Sequence, residues 1–360
     1  MQISEKNVNK TKSVFVKPIN SSKILPIYWG DGSIIFKGSW YNTDYNPGDG
    51  RLMKINLHDF SDNIVVDLKN DPFIKKQNIK VGSFLNFIIV KKGFLWVSDI
   101  TINTQPHLYK VSFKDLTVQD SWEVFKSGIM EGTQAGCADD SYIYLGGNAN
   151  DMVRFKFSDE SIIRNESFKN VSIHCMVEDG KFIYAIDNNS KKMFKIFKDD
   201  LSLAKETSIP SGAYQSDNIC QDKNYVYSFD EFGGSLPYGV NRWEKKDLSI
   251  DSLYKFPDDL GRYGSNMIID KKLFILPATS AEKSKYKIEV IDLKTASLEK
   301  IITISKLEHP EYRCWNLMND PEDSTYVYLS RQKNNAREMQ LHQFDAKHFR
   351  SETGTSNIPG

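Results

Sequence analysis

The stretch FIYAIDNNSKKMFKIFKDDLSLAKETSIP, residues 182–210, decides the fold. It opens with an aromatic-x-aromatic cluster, Phe182-Ile183-Tyr184, and a short polar turn leads to an alternating segment from Met193 to Phe197. An Asp-Leu turn then precedes a weaker alternation from Lys205 to Ile209. Alternation of apolar and polar residues, interrupted by polar turns, predicts antiparallel β-strands.

An apolar-x-apolar cluster of this kind recurs along the whole chain. Its separations of about 40 to about 60 residues are the period of a propeller blade with connections of variable length. The clusters are Ile34-Ile35-Phe36, Phe94-Leu95-Trp96, Tyr142-Ile143-Tyr144, Phe182-Ile183-Tyr184, Tyr225-Val226-Tyr227, Leu273-Phe274-Ile275 and Tyr326-Val327-Tyr328. Turns rich in Asp, Lys and Gly precede most of them and favour tight reversals. An alternating strand and a weaker outer strand follow, so each unit, with an inner strand upstream, holds four antiparallel strands.

Seven such units fill about residues 20–350 and predict an all-β fold, a seven-bladed β-propeller of four-stranded antiparallel blades. A count of six or eight blades stays open because the first unit is long. Helical periodicity is nearly absent, which argues against α/β folds. We therefore treat residues 1–360 as one propeller domain. Residues 1–19 form an N-terminal arm with a closing strand, and residues 351–360 form a polar tail.

The N-terminal arm is expected to close the ring. The last unit has a poor fourth strand, since the chain after Phe349 reads RSETGTSNIPG. An unpaired strand at that edge would promote aggregation. Val14-Phe15-Val16 is a good strand with no partner in the first unit. We predict that it supplies the outer strand of the last blade, and the alternative is an arm that pairs with nothing.

Residues 182–210 resemble blades of the YVTN family and of the looser NHL and WD-repeat-like propellers. The resemblance lies in the aromatic-x-aromatic strand, the polar turn, the alternating strand and the Asp-Leu turn, and at blade level it covers nearly the whole chain. The chain departs from these families because it has no recurring Gly-His and Trp-Asp pairs and no Asp-Thr-Ala-Thr turn. The resemblance implies the fold alone, since propellers include hydrolases, lyases, lectins and scaffolds.

Composition restricts the partners and the compartment. The 47 basic and 47 acidic side chains give a formal net charge of zero, which argues against binding to nucleic acid or an anionic membrane through bulk charge. The N-terminus carries no signal-peptide pattern, and no apolar run reaches the roughly 18 residues of a membrane helix. We expect a cytoplasmic protein, or one assembled in a cytoplasm into a larger particle. No phosphate-loop, nucleophile-elbow, zinc or EF-hand motif occurs, so no cofactor is expected.

The four cysteines fall on the inner strands of four different blades, at Cys137, Cys175, Cys220 and Cys314. Space near a propeller axis is tight, and a thiol behaves there as a small buried group. We expect free thiols that contribute to packing and no disulfide.

One end of the predicted ring carries the candidate binding residues. The connections between second and third strands, and those between blades, meet at this end and are long and rich in aromatic residues. The candidates are Trp40, Tyr41, Tyr45, Phe232, Tyr238, Tyr214, Tyr263 and Tyr312. Exposed aromatic side chains among polar groups are typical of a recognition surface for a protein or a glycan. The alternative is that these aromatics simply cover the ends of the blades.

The predicted inner strands begin with polar residues that would face the central channel. His174, Asp217 and Arg313 are the only triad with acid–base potential. Asn86, Asp217 and Asn266 would be the oxygen ligands of a divalent ion. Channel water would satisfy the same groups equally well.

Two classes of function follow. The first is a non-catalytic binding or scaffold propeller that holds a protein or glycan on its loop face, including a structural subunit of a phage or viral particle. The second is a metal-dependent hydrolase or lactonase with its site at the channel mouth. The absence of a catalytic motif beside the long connections favours the first.

Overall fold

A computed structural model describes residues 12–25, 33–43, 50–61, 63–82, 84–100, 105–125, 133–147, 152–168, 171–210, 214–232, 239–255, 263–277, 287–304, 307, 312–320, 322–333, 336 and 338–350. Two short strands come first, β1 (Lys12–Val16) and β2 (Asn20–Ser21). Two short helices are α1 (Pro72–Gln77) and α2 (Lys347–Arg350). No helix in the described part of the chain is long and apolar enough to cross a membrane.

The remaining strands form seven sheets in chain order, which we number as blades one to seven. Blades one to three are β3 (Ser33–Phe36), β4 (Ser39–Thr43), β5 (Arg51–Asn56) and β6 (Ile64–Asp67); β7 (Phe84–Lys91), β8 (Phe94–Ile100), β9 (His107–Val111) and β10 (Val118–Glu123); and β11 (Thr133–Ala138), β12 (Tyr142–Gly147), β13 (Met152–Lys156) and β14 (Ile162–Asn165). Blades four and five are β15 (Ile173–Asp179), β16 (Phe182–Asp187), β17 (Lys192–Phe197) and β18 (Leu203–Ser208); and β19 (Tyr214–Gln221), β20 (Tyr225–Phe232), β21 (Gly239–Glu244) and β22 (Ile250–Lys255). Blades six and seven are β23 (Tyr263–Ile269), β24 (Lys272–Pro277), β25 (Lys287–Asp292) and β26 (Ser297–Ile304); and β27 (Tyr312–Asn319), β28 (Tyr326–Lys333) and β29 (Met339–Asp345).

The blades form a closed ring. The first strand of each blade contacts the first strand of the next, and β27 of blade seven contacts β3 of blade one. The predicted fold, an all-β propeller of seven blades with four antiparallel strands each, is therefore confirmed. Among the described residues the core divides into seven apolar clusters, each lying between two neighbouring blades.

The aromatic-x-aromatic cluster contributes apolar side chains to both faces of a blade. In blade four, Ile183 packs in the cluster shared with blade three, and the next residue, Tyr184, packs in the cluster shared with blade five. Successive strand residues point to opposite faces, so a strand with neighbours on both sides needs apolar residues at consecutive positions.

Blade one departs from the predicted register. Ile34-Ile35-Phe36 lies in β3, the inner strand, whereas the corresponding clusters of the other blades lie in the second strand. The reversal that follows β3 is Lys37-Gly38, and both residues have positive φ (48° and 66°). Glycine adopts this conformation without steric cost, so the turn occurs here and Ser39-Trp40-Tyr41 becomes the second strand.

The N-terminal segment supplies the outer strand of blade seven, but the prediction that Val14-Phe15-Val16 forms this strand is wrong. Val14 and Val16 lie in β1, which pairs parallel with β26 as a fifth strand of blade six. The outer strand of blade seven is β2, which pairs antiparallel with β29. Backbone bonds between Leu25 and Met339 continue this pairing. The arm therefore spans two blades, because the few residues between β1 and β2 are enough to reach from one blade edge to the next.

The cysteines lie where the sequence predicted. Cys137, Cys175, Cys220 and Cys314 occupy the inner strands of blades three, four, five and seven, and all four are free thiols. Burial raises the pKa of Cys137 well above its usual value, and it raises that of Cys220 as well. A thiol with a raised pKa is a poor nucleophile at neutral pH, in keeping with a packing role.

Candidate binding face

The connections at the two ends of the blades differ in length. At one end of the ring, the first strand of each blade is joined to the second, and the third strand to the fourth. We call this the short-turn end; examples of its connections are residues 37–38, 180–181 and 270–271. We call the opposite end the long-loop end; it carries the second-to-third connections and those between blades, such as the segment 68–82 between β6 and β7. In antiparallel blades all connections of one set must meet at one end of the ring.

Three of the predicted binding residues are buried strand residues. Trp40 and Tyr41 lie in β4, where the Trp40 Nε1 donates to Ser33 Oγ at 2.6 Å and the Tyr41 hydroxyl donates to the Phe113 carbonyl at 3.2 Å. Tyr312 lies in β27 and is equally buried, and its hydroxyl donates to Glu338 Oε2 at 2.8 Å. The expectation that these three aromatics are exposed on loops is wrong, because they fill the cores between blades.

Three of the other predicted aromatics lie at strand termini that meet the long-loop end. Tyr214 begins β19 and Phe232 ends β20, and the two residues are direct partners across the ladder. Tyr263 begins β23. The side chains of these three residues, and Tyr45 and Tyr238 altogether, lie outside the described part of the structure. Their role in binding stays a prediction.

The predicted channel residues lie on inner strands of different blades. His174 is half-buried in β15, Asn86 is buried in β7 and Asn266 is half-buried in β23. Asp217 lies in β19 and Arg313 in β27, and the side chains of both are outside the described set. The acid–base triad and the metal site therefore stay predictions. Within the described side chains, no group of three or more His, Cys, Asp or Glu residues is arranged to hold a metal ion.

A register shift interrupts the inner strand of every blade from two to seven. The shifts fall between Leu85 and Ile88, Thr133 and Ala135, Ile173 and Cys175, Gln215 and Ile219, Tyr263 and Ser265, and Cys314 and Leu317. Such bulges leave residues outside the ladder and increase the local twist. Asn86 and His174 lie in these interruptions, which explains why polar residues are placed in otherwise apolar strands.

Buried carboxylates at the ends of second strands anchor the long-loop end. The clearest case is Asp187, the last residue of β16. Its Oδ1 accepts from the backbone N–H of Ser172 at 2.7 Å and of Asn189 at 3.0 Å. Its Oδ2 accepts from the Ser190 N–H at 3.1 Å and from the Ser190 hydroxyl. Ser172 ends the connection from blade three, and Asn189 and Ser190 lie in the connection to β17. One carboxylate therefore fixes both connections.

Asp99 does the same in blade two. Its Oδ2 accepts from the Gly82 N–H at 2.6 Å and from the Tyr109 hydroxyl at 2.7 Å, and its Oδ1 accepts from the His107 N–H at 2.6 Å. Burial raises the pKa of Asp99, and the three hydrogen bonds oppose that rise. Gly82 precedes the inner strand β7, and His107 begins the third strand β9. The carboxylate again connects the two sets of loops.

Blade five carries a third carboxylate at this position. Asp230 is buried near the end of β20, and its Oδ1 accepts from the Asn241 side-chain amide at 2.9 Å. These aspartates are not among the binding residues predicted above, although the sequence carries a signal for them. Each aspartate follows the second aromatic residue of its cluster by three positions: Trp96 and Asp99, Tyr184 and Asp187, Tyr227 and Asp230, and, by sequence, Tyr41 and Asp44.

Charges at the short-turn end hold the blades together. Arg154 of blade three donates to the Lys198 carbonyl of blade four at 2.6 Å, and Lys195 of blade four donates to the Lys245 carbonyl of blade five at 2.7 Å. Lys198 in turn forms ion pairs with Asp139 of blade three at 2.6 Å and with Glu178 at 2.9 Å. Lys195 also lies 4.1 Å from the centroid of the Phe182 ring. These buried and half-buried cations connect neighbouring blades, so part of the charge at this end is structural.

Comparison with known proteins supports the fold. No protein-family model and no curated protein matches the chain. The WD40 domain of Pan2 from Neurospora crassa superimposes with a TM-score of 0.60 at 8% identity, covering 90% of this chain and 89% of that one. The WD40 β-propeller domain of Doa1 superimposes with a TM-score of 0.62 at 9% identity, covering 91% and 96%. The predicted likeness to WD-repeat-like propellers is therefore confirmed as a likeness of fold.

Proposed function

We propose that this chain is a non-catalytic protein-interaction propeller that binds its partner at the long-loop end. The observation that carries the proposal is the carboxylate anchoring by Asp99 and Asp187, each of which fixes the bases of two kinds of connection. Binding sites need loops whose positions are set by a rigid scaffold. Burial of a carboxylate costs free energy, which the hydrogen bonds from several backbone N–H groups offset here. These carboxylates lie at the end of the strands where the connections are long.

The charge distribution supports a protein partner. The balance of 47 basic and 47 acidic side chains gives no basic field of the kind that attracts nucleic acid. At the short-turn end, buried cations such as Lys195 and Lys198 are paired between blades. We therefore assign the partner to the long-loop end. Nothing in the described surface or the two structural neighbours favours a glycan or a viral particle, so the proposal is restricted to a protein.

Replacement of Tyr238 by alanine is expected to weaken partner binding tenfold or more. Truncation of one central aromatic side chain of an interface typically costs about 2 kcal/mol of binding free energy. Tyr238 ends the connection 233–238 between β20 and β21, so its loss should leave the thermal midpoint unchanged. Partner recovery on the tagged full-length chain from an extract of its source cells, quantified against the wild type, measures the effect.

Phe197→Ala is the matched control for this experiment. Phe197 is an exposed aromatic residue beside the short-turn connection 198–202, at the opposite end of the ring. We expect Phe197→Ala to retain the same partner as the wild type. The opposite result, in which Phe197→Ala loses the partner and Tyr238→Ala retains it, would assign binding to the short-turn end. That result would overturn the proposal.

A further inference from the structure

A buried histidine, His342, takes part in the contact that holds the N-terminal arm to blade seven. It lies in β29, directly opposite Ser21 of β2, and it is only 2% exposed. Its ring Nδ1 lies 2.8 Å from the Ser21 hydroxyl, and its Nε2 lies 3.4 Å from Nη1 of Arg331. Arg331 is fully buried in β28. The imidazole therefore connects the closing strand to a buried cation inside the blade.

The two contacts determine the tautomer and the charge of the His342 ring. A guanidinium group has donors and no acceptor, so Nε2 accepts from Arg331 and carries no proton. The neutral ring then bears its proton on Nδ1 and donates it to the Ser21 hydroxyl. A second proton can enter only at Nε2, where the new N–H would face an N–H of Arg331 and place two buried cations side by side. The closed arm therefore requires a neutral His342.

Uncharged side chains flank the ring on its own blade. Leu329 lies directly opposite His342 on β28, and Gln340 and Phe344 lie two positions away on the same face of β29. Leu329 and Phe344 belong to the apolar cluster that blade seven shares with blade six. These neighbours cannot compensate a charge on the imidazole.

The charged residues of the surrounding segments are engaged elsewhere. These contacts are Lys333 with Glu338 at 3.2 Å, Asp345 with Lys347 at 2.7 Å, Lys272 of blade six with Glu299 at 2.8 Å, and Lys300 of blade six with the Phe349 carbonyl at 3.5 Å. On the arm, Lys17 and Lys23 are exposed. Within the described residues, Arg331 is therefore the charge that acts on His342.

We propose that His342 is a proton-operated latch, whose neutral ring holds β2 on the outer edge of blade seven and whose protonation releases the arm. Release takes Ser21 away from the ring and uncovers β29, so water reaches the imidazole and hydrates its charged form. Because the released form binds a proton that the closed form excludes, acid shifts the equilibrium toward release. The latch acts on ring closure and is independent of the binding surface proposed above.

The pKa of His342 sets the pH range of the latch. Burial, and then the charge of Arg331, lower this pKa to about 3 in the closed ring. In the released arm it returns toward its ordinary value of about 6.5. Between these two values the released form binds one more proton, so the equilibrium constant for release should rise at most tenfold for each pH unit below about 6.5. Above that pH the ring is neutral in both forms, and release should not depend on it.

Hydrogen exchange of the full-length chain between about pH 7.5 and 4.5 tests the proposal. The backbone N–H groups of Ile19, Ser22 and Leu25 donate to carbonyls of blade seven, so their exchange, corrected for the intrinsic rate at each pH, reports release of the arm. In the wild type their protection should fall by at most tenfold for each pH unit below about 6.5. The amides of β16 in blade four should keep their protection over the same range.

Three variants separate the latch from a general sensitivity to acid. His342→Gln keeps an acceptor oxygen for Arg331 and cannot titrate, so protection of its arm should not change with pH. His58→Gln is the matched control, since His58 is exposed in a short-turn connection of blade one, and it should behave like the wild type. Ser21→Ala, at an exposed position, should lower protection of the arm roughly fivefold at every pH, the effect of one hydrogen bond.

Three results would each overturn the proposal. The first is wild-type protection of the arm that does not change with pH. The second is a His342→Gln variant with the pH dependence of the wild type. The third is a loss of protection in β16 that runs parallel to the loss in the arm, because it would show unfolding of the whole ring. If His342→Gln does not fold, the wild-type profile and Ser21→Ala still decide the question.

Discussion

Removal of residues 1–25 is expected to lower the free energy of unfolding by about 5 kcal/mol or more, the sum expected for two buried apolar side chains and several buried hydrogen bonds. The deletion removes β1 and β2 together. Leu25 and Val16 are each 2% exposed and pack in the clusters on the two sides of blade seven. Denaturant titration of the full-length and shortened chains measures the loss.

The hydrogen bonds of the same segment explain why the effect is large. The N–H of Ile19 donates to the Gln343 carbonyl at 2.7 Å, and that of Ser22 donates to the Leu341 carbonyl at 2.8 Å. Leu25 and Met339 exchange two further bonds, of 2.7 and 3.0 Å. Without the segment, the buried strand β29 would expose its backbone edge, and blade seven would have three strands. An unpaired edge of this kind also favours aggregation.

Removal of residues 1–11 alone is the control for this prediction. Those residues precede β1, and their loss leaves both strands of the arm in place. We expect the shorter deletion to leave the unfolding midpoint unchanged. If the two deletions have equal effects, or if removal of residues 1–25 costs less than about 1 kcal/mol, the segment does not close the ring in the way that the hydrogen bonds indicate.

Replacement of Asp187 by alanine is expected to cost about 2 to 4 kcal/mol, because several buried donors lose their acceptor at once. The backbone N–H groups of Ser172, Asn189 and Ser190 all donate to this carboxylate. Hydrogen exchange should therefore accelerate at these three amides in the variant. Asp187→Asn, which keeps one acceptor oxygen, should give an intermediate loss of stability.

Asp200→Ala is the matched control for Asp187→Ala. Asp200 is exposed in the short-turn connection of the same blade, and its carboxylate accepts from the Ser202 N–H at 2.9 Å. We expect its replacement to cost no more than about 1 kcal/mol, the usual value of one exposed turn hydrogen bond. Equal costs at the two positions would show that Asp187 does not anchor the loops as a unit.

The repeat pattern predicted most of the fold because each blade is built from local alternation. In six blades the apolar-x-apolar cluster lies in the second strand, as in Phe182-Ile183-Tyr184. Blade one was misaligned because Ile34-Ile35-Phe36 is as apolar as those clusters, although it forms the inner strand. The turn at Lys37-Gly38 decides the register, and its effect on β4 was not visible in the alternation alone.

The local sequence pattern does not predict which strands pair when they are far apart in the chain. The strand propensity of Val14-Phe15-Val16 was correctly recognised, but its partner is β26, where Val14 pairs with Ile302. Nothing in the local pattern distinguishes the edge of blade six from that of blade seven. The choice depends on where the preceding and following segments leave the ring.

The candidate site was only partly predictable for a different reason. Aromatic residues near connections serve equally as core and as recognition groups, and Trp40, Tyr41 and Tyr312 proved to be core. The anchoring aspartates carried a regular signal, three positions after an aromatic residue, as at Tyr184 and Asp187. Their meaning appears only when the backbone N–H groups of two separate connections converge on one carboxylate.

Site-specific photo-cross-linking at the two ends of the ring tests the central claim most directly. A photoreactive amino acid is placed at position 238, in the connection between β20 and β21, and in a parallel variant at Lys246, an exposed residue at the short-turn end. Binding at the long-loop end predicts a discrete adduct with another protein from position 238 and none from position 246, both in the full-length chain. A discrete adduct from position 246, with none from position 238, would contradict the claim that the long-loop end is the binding surface.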